Sequence, residues 1–136
     1  MNAADEQAIA ALFDAFYSAF DNRGGRRPDI LGLRRLFAPF APIVRLSSAG
    51  PENWTVDGFL EPRAALLTDG TLTEFHEWEV RGETFGGNRI ATRRSDYEKA
   101  GVREGMPFRG SGRKLVSLHR ADDGWLISSI LWEDCE

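Results

Sequence analysis

FHEWEVRGETFGGNRIATRRSDY, residues 75–97, has the pattern of two strands joined by a tight bend. On both sides of Gly86-Gly87 the side-chain chemistry alternates with a period of two, as in strands. A double glycine between two such runs marks a hairpin, because a primed turn needs positive φ at its central residues. Placing the bend at the two glycines pairs Phe85 with Asn88, Val80 with Arg93, Glu79 with Arg94, Trp78 with Ser95 and His76 with Tyr97. The ribbon then has a solvated face of Glu77, Glu79, Arg81, Thr92, Arg94 and Asp96, with Glu79 and Arg94 as a cross-strand ion pair. Its inward face carries His76, Trp78, Val80, Arg93, Ser95 and Tyr97.

Residues 101–112 are rich in glycine and charge, contain Pro107, and read as a connection. A second hairpin follows, with strands over 113–121 and 125–134 meeting at Asp122-Asp123-Gly124. A three-residue loop there puts Gly124 in the left-handed bulge position. It sets Leu115, Ser117, His119, Trp125, Ile127, Ser129 and Leu131 on one face, and leaves Leu126, Ile130 and Trp132 on the other. A two-residue loop would reverse one strand relative to its partner.

Upstream, Ile9, Leu12, Phe13, Phe16, Tyr17 and Phe20 recur at steps of three and four, which predicts a helix from about Asp5 to Asn22 with one apolar stripe. Gly24, Gly25 and Pro28 end it. A shorter helix over 28–37 buries Leu31, Leu33, Leu36 and Phe37, and Pro39 and Pro42 close it. Residues 43–47 alternate as a strand, and 48–53 read as a loop. Thr55 caps a third helix that turns Val56, Phe59, Leu60, Ala64 and Leu67 inward, is disturbed at Pro62 and ends at Asp69-Gly70. Trp54 and Phe108 fall in connections, where they either cover a cavity mouth or pack on its rim.

The chain has 136 residues, 42% of them hydrophobic, so one domain with one core is expected and disorder is excluded. A net charge of −4 gives no support to nucleic-acid or membrane-surface binding. No apolar run approaches the roughly 20 residues of a membrane span, and the first residues lack a basic-then-apolar leader, so a cytoplasmic location is expected. Cys135 is the single cysteine, which leaves an internal disulfide or a cysteine zinc site without ligands. Gly110-Ser111-Gly112-Arg113-Lys114 lacks the P-loop spacing and opens a strand where that motif opens a helix, so no cofactor is indicated. Arg23, Arg26, Arg27, Arg34 and Arg35 read as solvated helix ends.

Three helices followed by a long antiparallel sheet resemble the nuclear transport factor 2-like fold over nearly the whole chain. Phe59-Leu60-Glu61-Pro62-Arg63, Phe75-His76-Glu77-Trp78-Glu79, Ser95-Asp96-Tyr97-Glu98, Gly124-Trp125 and Ile130-Leu131-Trp132-Glu133-Asp134 are similar to a SnoaL-like branch of it, largely without assigned activity. The resemblance implies an α+β cone of cystatin-like type: three N-terminal helices in the concavity of a strongly curved, mostly antiparallel sheet, around a cavity. The fold also hosts ketosteroid isomerase, scytalone dehydratase, polyketide cyclases and noncatalytic binding modules, so it implies a cavity more than a reaction.

The candidate catalytic residues are His76, His119 and Tyr17. Two imidazoles from separate strands are similar to those of scytalone dehydratase and can act as base and then acid near neutrality, with Tyr17 or Tyr97 hydrogen bonded to an oxyanion. Trp78, Arg93, Ser95, Tyr97, Ser117 and Ser129 are the candidate ligand contacts. Tyr17 reads equally as a core tyrosine bonded to a backbone acceptor, and His76 and Arg93 as an internal network, since a buried arginine requires a carboxylate, water or an anionic ligand. This register supplies no inward aspartate, which disfavours steroid isomerisation, and the histidines lack a carboxylate at metal-ligand spacing. The expected function is a cavity for a small apolar or oxygenated molecule, acting as a cofactor-independent lyase or isomerase, or as a noncatalytic binding or interaction module. A last strand apolar on both sides implies a homodimer through the outer sheet face.

Overall fold

Helix α1 spans Ala3–Ser18 in the computed structural model, which describes residues 1–135. Asn2 caps it, its side-chain oxygen accepting from the Asp5 amide at 2.8 Å. Ile9, Leu12, Phe13, Phe16, Tyr17 and Phe20 are all buried, as their spacing requires. The chain then turns, and Asn22 clips three segments together. Its Nδ2 donates to the Leu67 and Leu72 carbonyls at 3.0 and 2.8 Å, and its Oδ1 accepts from the Phe75 amide at 2.7 Å.

The second predicted helix is a short 3-10 segment, Leu31–Leu36, which buries Leu33 but leaves Leu31 49% exposed. β1 (Ile43–Ser47) is followed by β2 (Gly50–Trp54), so residues assigned to a loop form an antiparallel partner for β1. Gly50 takes the positive φ the tight connection needs. α2 (Val56–Leu66) starts at Thr55, whose hydroxyl accepts from the Gly58 amide at 3.1 Å, and it buries Val56, Phe59 and Leu60.

β3 (Leu72–Gly86), β4 (Ile90–Arg103), β5 (Met106–Ala121) and β6 (Gly124–Cys135) complete a sheet of order β2-β1-β6-β5-β4-β3. β1 runs parallel to β6, and the other pairs are antiparallel. The expected connection over 101–112 is instead a tight hairpin at Glu104-Gly105, both at positive φ, with strand on either side. Its glycines make room: a Cβ on Gly112 would overlap the Tyr97 hydroxyl and the Glu133 carbonyl.

Departures from the expected pairing in both hairpins decide which side chains face inward. The first hairpin bends at Asn88-Arg89, two residues beyond the expected place, with Gly86 opposite Ala91 and the Gly87 amide donating to the Ile90 carbonyl at 2.9 Å. That displacement shifts the pairing by an even number and would leave both faces unchanged. A β-bulge between Glu79 and Arg81 is what inverts β3: Thr84 and Gly82 oppose Arg93 and Ser95, whereas beyond the bulge Glu79 opposes Tyr97. Glu77 and Glu79 therefore point inward, Val80 is 52% exposed, and His76 and Trp78 turn to the outer side. In the second hairpin the loop has two residues, with Ala121 opposite Gly124, and a bulge between Ser117 and Leu118 moves Ser129 opposite Ser117. Lys114, Val116 and Leu118 are buried with Ile127, Ile130 and Trp132, while Ser117, His119 and Ser129 lie on the outer side. Of the residues invoked for a dimer face, Ile130 and Trp132 are thus interior. Leu46, Leu115 and Leu131, 39%, 48% and 44% exposed, remain outside.

Asp21 illustrates how the turn after α1 is held. It accepts from the Arg23 guanidinium at 2.8 and 3.1 Å, from the Arg23 amide at 3.0 Å and from Arg26 at 2.9 Å. The Arg23 hydrogen bonds outweigh burial and hold its carboxyl at about 2. A carboxylate depressed in the folded state contributes stability that is present above its unfolded value of about 3.9 and is lost as pH falls through the folded value. Asp21→Asn is expected to lower the melting temperature at neutral pH and to flatten its decline between about pH 4 and pH 2, as thermal melts across that range will show.

Candidate active site

The concave side of the sheet, α1 and α2 enclose a cavity of about 370 Å³, within the range of roughly 300–1,000 Å³ usual for small-molecule sites. One wall is apolar: Phe16 from α1 and Phe20 from the turn after it, Phe59 and Leu66 from α2, Phe75 from β3 and Trp132 from β6. The remainder carries charge. Arg45, Arg63, Lys99, Arg103 and Lys114 line it together with two carboxylates, Glu77 and Asp134.

Arg63 lies on the inner side of α2, its guanidinium 3.8 Å from the centre of the Phe59 ring and 5.3 and 5.9 Å from those of Trp54 and Trp132. The two tryptophans stack at 5.6 Å, which settles Trp54 as part of the rim of this cage. Arg63 donates to the Phe59 carbonyl at 3.0 Å, and no carboxylate lies within salt-bridge distance of it among the described residues. Burial pushes its ionisation down to about 10, so it is a cation with incomplete compensation in the cavity wall.

Two ion pairs form the floor. Lys114 Nζ donates to Glu77 Oε1 at 2.9 Å and stands 3.4 Å from the centre of the Tyr97 ring, with both side chains of the pair about one-tenth exposed or less. Asp134 accepts from the Tyr97 hydroxyl and is approached by Arg45 at 2.7 Å and Lys99 at 3.6 Å. Burial raises the Asp134 carboxyl, but the Tyr97 hydrogen bond and the two cations outweigh it and hold it below the usual carboxylate range. Burial, reinforced by Asp134, pushes the Tyr97 phenol up. The dyad is therefore a neutral phenol donating to a carboxylate.

A second polar chain runs beside the cavity. Arg93 grips Glu79 with two hydrogen bonds, 2.5 and 3.1 Å, and donates to Thr84 Oγ1 at 2.7 Å. Ser95 donates to Glu79 at 2.5 Å, and a serine has one hydroxyl proton, so Tyr17, 2.7 Å from Ser95 Oγ, is the donor to it. The chain is closed on itself, and Arg93 has its carboxylate internally. Gly82 sits where a Cβ would overlap both members of that pair.

Of the expected site residues, Tyr17, Arg93, Ser95 and Tyr97 do face inward, and Tyr97 lines the cavity. Five do not face the cavity, for one physical reason: a bulge or a changed loop length moves a whole strand segment to the other face. His76 and Trp78 stack on each other at 4.5 Å on the outer side. His119 stacks on Phe40 at 6.0 Å and bonds Ser128 through Nδ1 at 2.6 Å, and Ser117 and Ser129 pair beside it. Paired-imidazole chemistry in the cavity is thereby removed, and Glu79 pairs with Arg93 rather than Arg94. The expectation of no inward aspartate also fails, since the β6 bulge brings Asp134 in. Glu77, Lys114, Asp134, Arg63 and Arg45 went unrecognised. Lys114-Val116-Leu118 held the available signal, a lysine in phase with an apolar row at alternate positions.

Comparisons with known proteins place the fold. No family model matches the chain, and no curated protein matches it. Among solved structures, it superimposes on a nuclear transport factor 2-like superfamily protein from Salmonella enterica with a TM-score of 0.78, at 15% identity, covering 98% of this chain and 92% of that one. A cystatin-like-fold protein of unknown function from Nostoc punctiforme gives 0.74 at 17% identity, over 99% and 94%. A scytalone dehydratase candidate from Novosphingobium aromaticivorans gives 0.78 at 12% identity, over 98% and 85%. The chain has the nuclear transport factor 2-like, cystatin-like α+β fold. Among the described residues, no helix is long and apolar enough to cross a membrane.

Proposed function

We propose that this protein binds a small, partly apolar organic anion in the cavity between α1, α2 and the sheet. The observation that carries the reading is Arg63: a guanidinium held in an aromatic cage, facing the cavity, with no carboxylate partner among the described residues. A cation desolvated this far gains most from an anion that arrives with the ligand, and guanidinium and carboxylate meet in a bidentate geometry. Lys99 and Arg45 stand at the same cavity but are already engaged by Asp134, whereas the Phe16, Phe20 and Phe75 rings accept the apolar body of the ligand.

Benzoate and benzamide have the same shape and differ in charge, which makes them the discriminating pair. Benzoate is expected to raise the melting temperature and to bind by calorimetry, and benzamide at least tenfold more weakly. Arg63→Gln is expected to weaken benzoate by about ten- to a hundredfold, the loss of one charged hydrogen-bonded contact, while leaving benzamide unchanged. Equal binding of the two probes would overturn the reading.

A catalytic role is favoured by one further observation, that a phenol–carboxylate dyad and an ammonium–carboxylate pair line the same cavity. In a lyase or isomerase of this kind Asp134 and Glu77 are the proton acceptors and Tyr97 the donor to a developing oxyanion, in place of the outward histidines. Asp134→Asn is then expected to lower kcat while affinity for the anion is kept or raised, since Lys99 and Arg45 lose their carboxylate.

A further inference from the structure

The chain contains fifteen arginines and two lysines, and the two lysines, Lys99 and Lys114, both line the cavity. Every other permanently cationic side chain of the molecule is an arginine. Arginine is the residue suited to fixed, bidentate ion pairs, whereas lysine is the one that readily sheds its proton and becomes a nucleophile. We propose that Lys114 is an amine nucleophile that forms an imine with a carbonyl-bearing ligand, and that the ligand class is a 2-oxo acid or an aromatic oxo acid. The choice of an acid rests on the anion reading of Arg63; the imine itself does not.

The setting is that of a reactive lysine rather than a structural one. Its side chain is 7% exposed, packed among the rings of Tyr97 at 3.4 Å, Tyr17 at 4.9 Å and Phe16 at 5.9 Å. Desolvation of this kind, together with a neighbouring cation, is how lysines are activated toward carbonyls. Burial, aided by Lys99, pushes the Lys114 ammonium down against the pull of Glu77. Glu77, 2.9 Å away, is placed to take the proton and return it.

The step balances without any further reagent. Lys114 passes a proton to Glu77, and the free amine attacks the carbonyl carbon. A nitrogen–carbon bond forms as the carbon–oxygen π pair moves to oxygen, and the nitrogen's proton is transferred to that oxygen, giving a neutral carbinolamine. Glu77 then protonates the hydroxyl, the carbon–oxygen bond breaks, water leaves, and the nitrogen lone pair closes the iminium. The net change is ammonium plus carbonyl to iminium plus water, with Glu77 again a carboxylate beside the new cation.

Borohydride trapping tests this on the full chain. The protein is incubated with phenylpyruvate, and separately with benzaldehyde, then reduced, digested and mapped by mass spectrometry. The expected result is a single adduct on Lys114, heavier by the ligand's mass less one oxygen. Glu77→Gln should slow its formation at least tenfold, and Lys114→Arg should abolish it. Because the wild-type map alone locates the adduct, the test stands even if Lys114→Arg does not fold. Labelling confined to Lys99 or the N-terminal amine, or absent although phenylpyruvate binds by calorimetry, would overturn the imine and leave the anion reading intact. Trapping of benzaldehyde at Lys114 with none of phenylpyruvate would keep the imine and overturn the oxo-acid class together with the anion reading.

Discussion

Glu79→Ala is expected to destabilise the protein by about 3–5 kcal/mol, the cost of leaving a buried charge without its partner, read as a lower urea midpoint at unchanged slope. Arg93 is held by Glu79 and Thr84, with its guanidinium 5.0 Å from the centre of the Phe13 ring, and the two side chains of the pair are 10% and 16% exposed. An arginine cannot escape by losing its proton, so the penalty is borne in full at every accessible pH. Ser95 and Tyr17 lose the end of their hydrogen-bond chain in the same variant. Replacing both members, Glu79→Leu with Arg93→Met, is expected to recover most of the loss, since an apolar pair of similar volume often matches a buried ion pair. A loss below about 1 kcal/mol in Glu79→Ala would show that water reaches Arg93 and that the pair behaves like a surface one.

Glu77→Ala removes the partner of the other buried cation and is expected to behave differently. At neutral pH the loss is again about 3 kcal/mol, but lysine can become neutral. Lys114 would face Tyr17, Tyr97, Lys99 and Asp134 without its carboxylate, and burial would hold its folded ionisation further below the unfolded value of about 10.4. Between those two values the unfolded chain binds more protons than the folded one, so stability rises with pH. The deficit of Glu77→Ala relative to wild type should therefore shrink steadily from pH 7 toward pH 10, whereas that of Glu79→Ala should stay constant. Parallel deficits in denaturant titrations at pH 7, 8.5 and 10 would show that losing Glu77 does not change the protonation of Lys114 over that range.

Most elements of the fold were legible because they rest on local periodicity; β2 and the strand segments within 101–112, where glycine and proline interrupt the pattern, were not. The stripe from Ile9 to Phe20, the Thr55 cap, the strand beginning at Ile43 and the run of long strands from Leu72 onward are dictated by spacing and by the chemistry of one or two residues. The site was legible only in part. Tyr17, Arg93, Ser95 and Tyr97 were placed inward correctly because α1 and β4 are regular over those residues. β3 and β6 each contain a bulge, and every side chain on one side of it was assigned to the wrong face. Nothing in FHEWEVRG announces that Val80 is the residue to be squeezed out. Glutamate and histidine alternate there with tryptophan and valine, and either face satisfies the pattern.

By itself, then, the order of residues determined a helix-first α+β chain with an aromatic stripe for a curved sheet to close on, because apolar period and turn chemistry act over a few neighbours. How the buried charges are paired was decided by the tertiary structure alone. An unpaired buried arginine or lysine is too costly to tolerate, and the bulges in β3 and β6 bring Glu79 to Arg93, Glu77 to Lys114 and Asp134 to Tyr97. Those pairings join residues 14 to 37 positions apart, and no local rule relates them until the sheet is assembled.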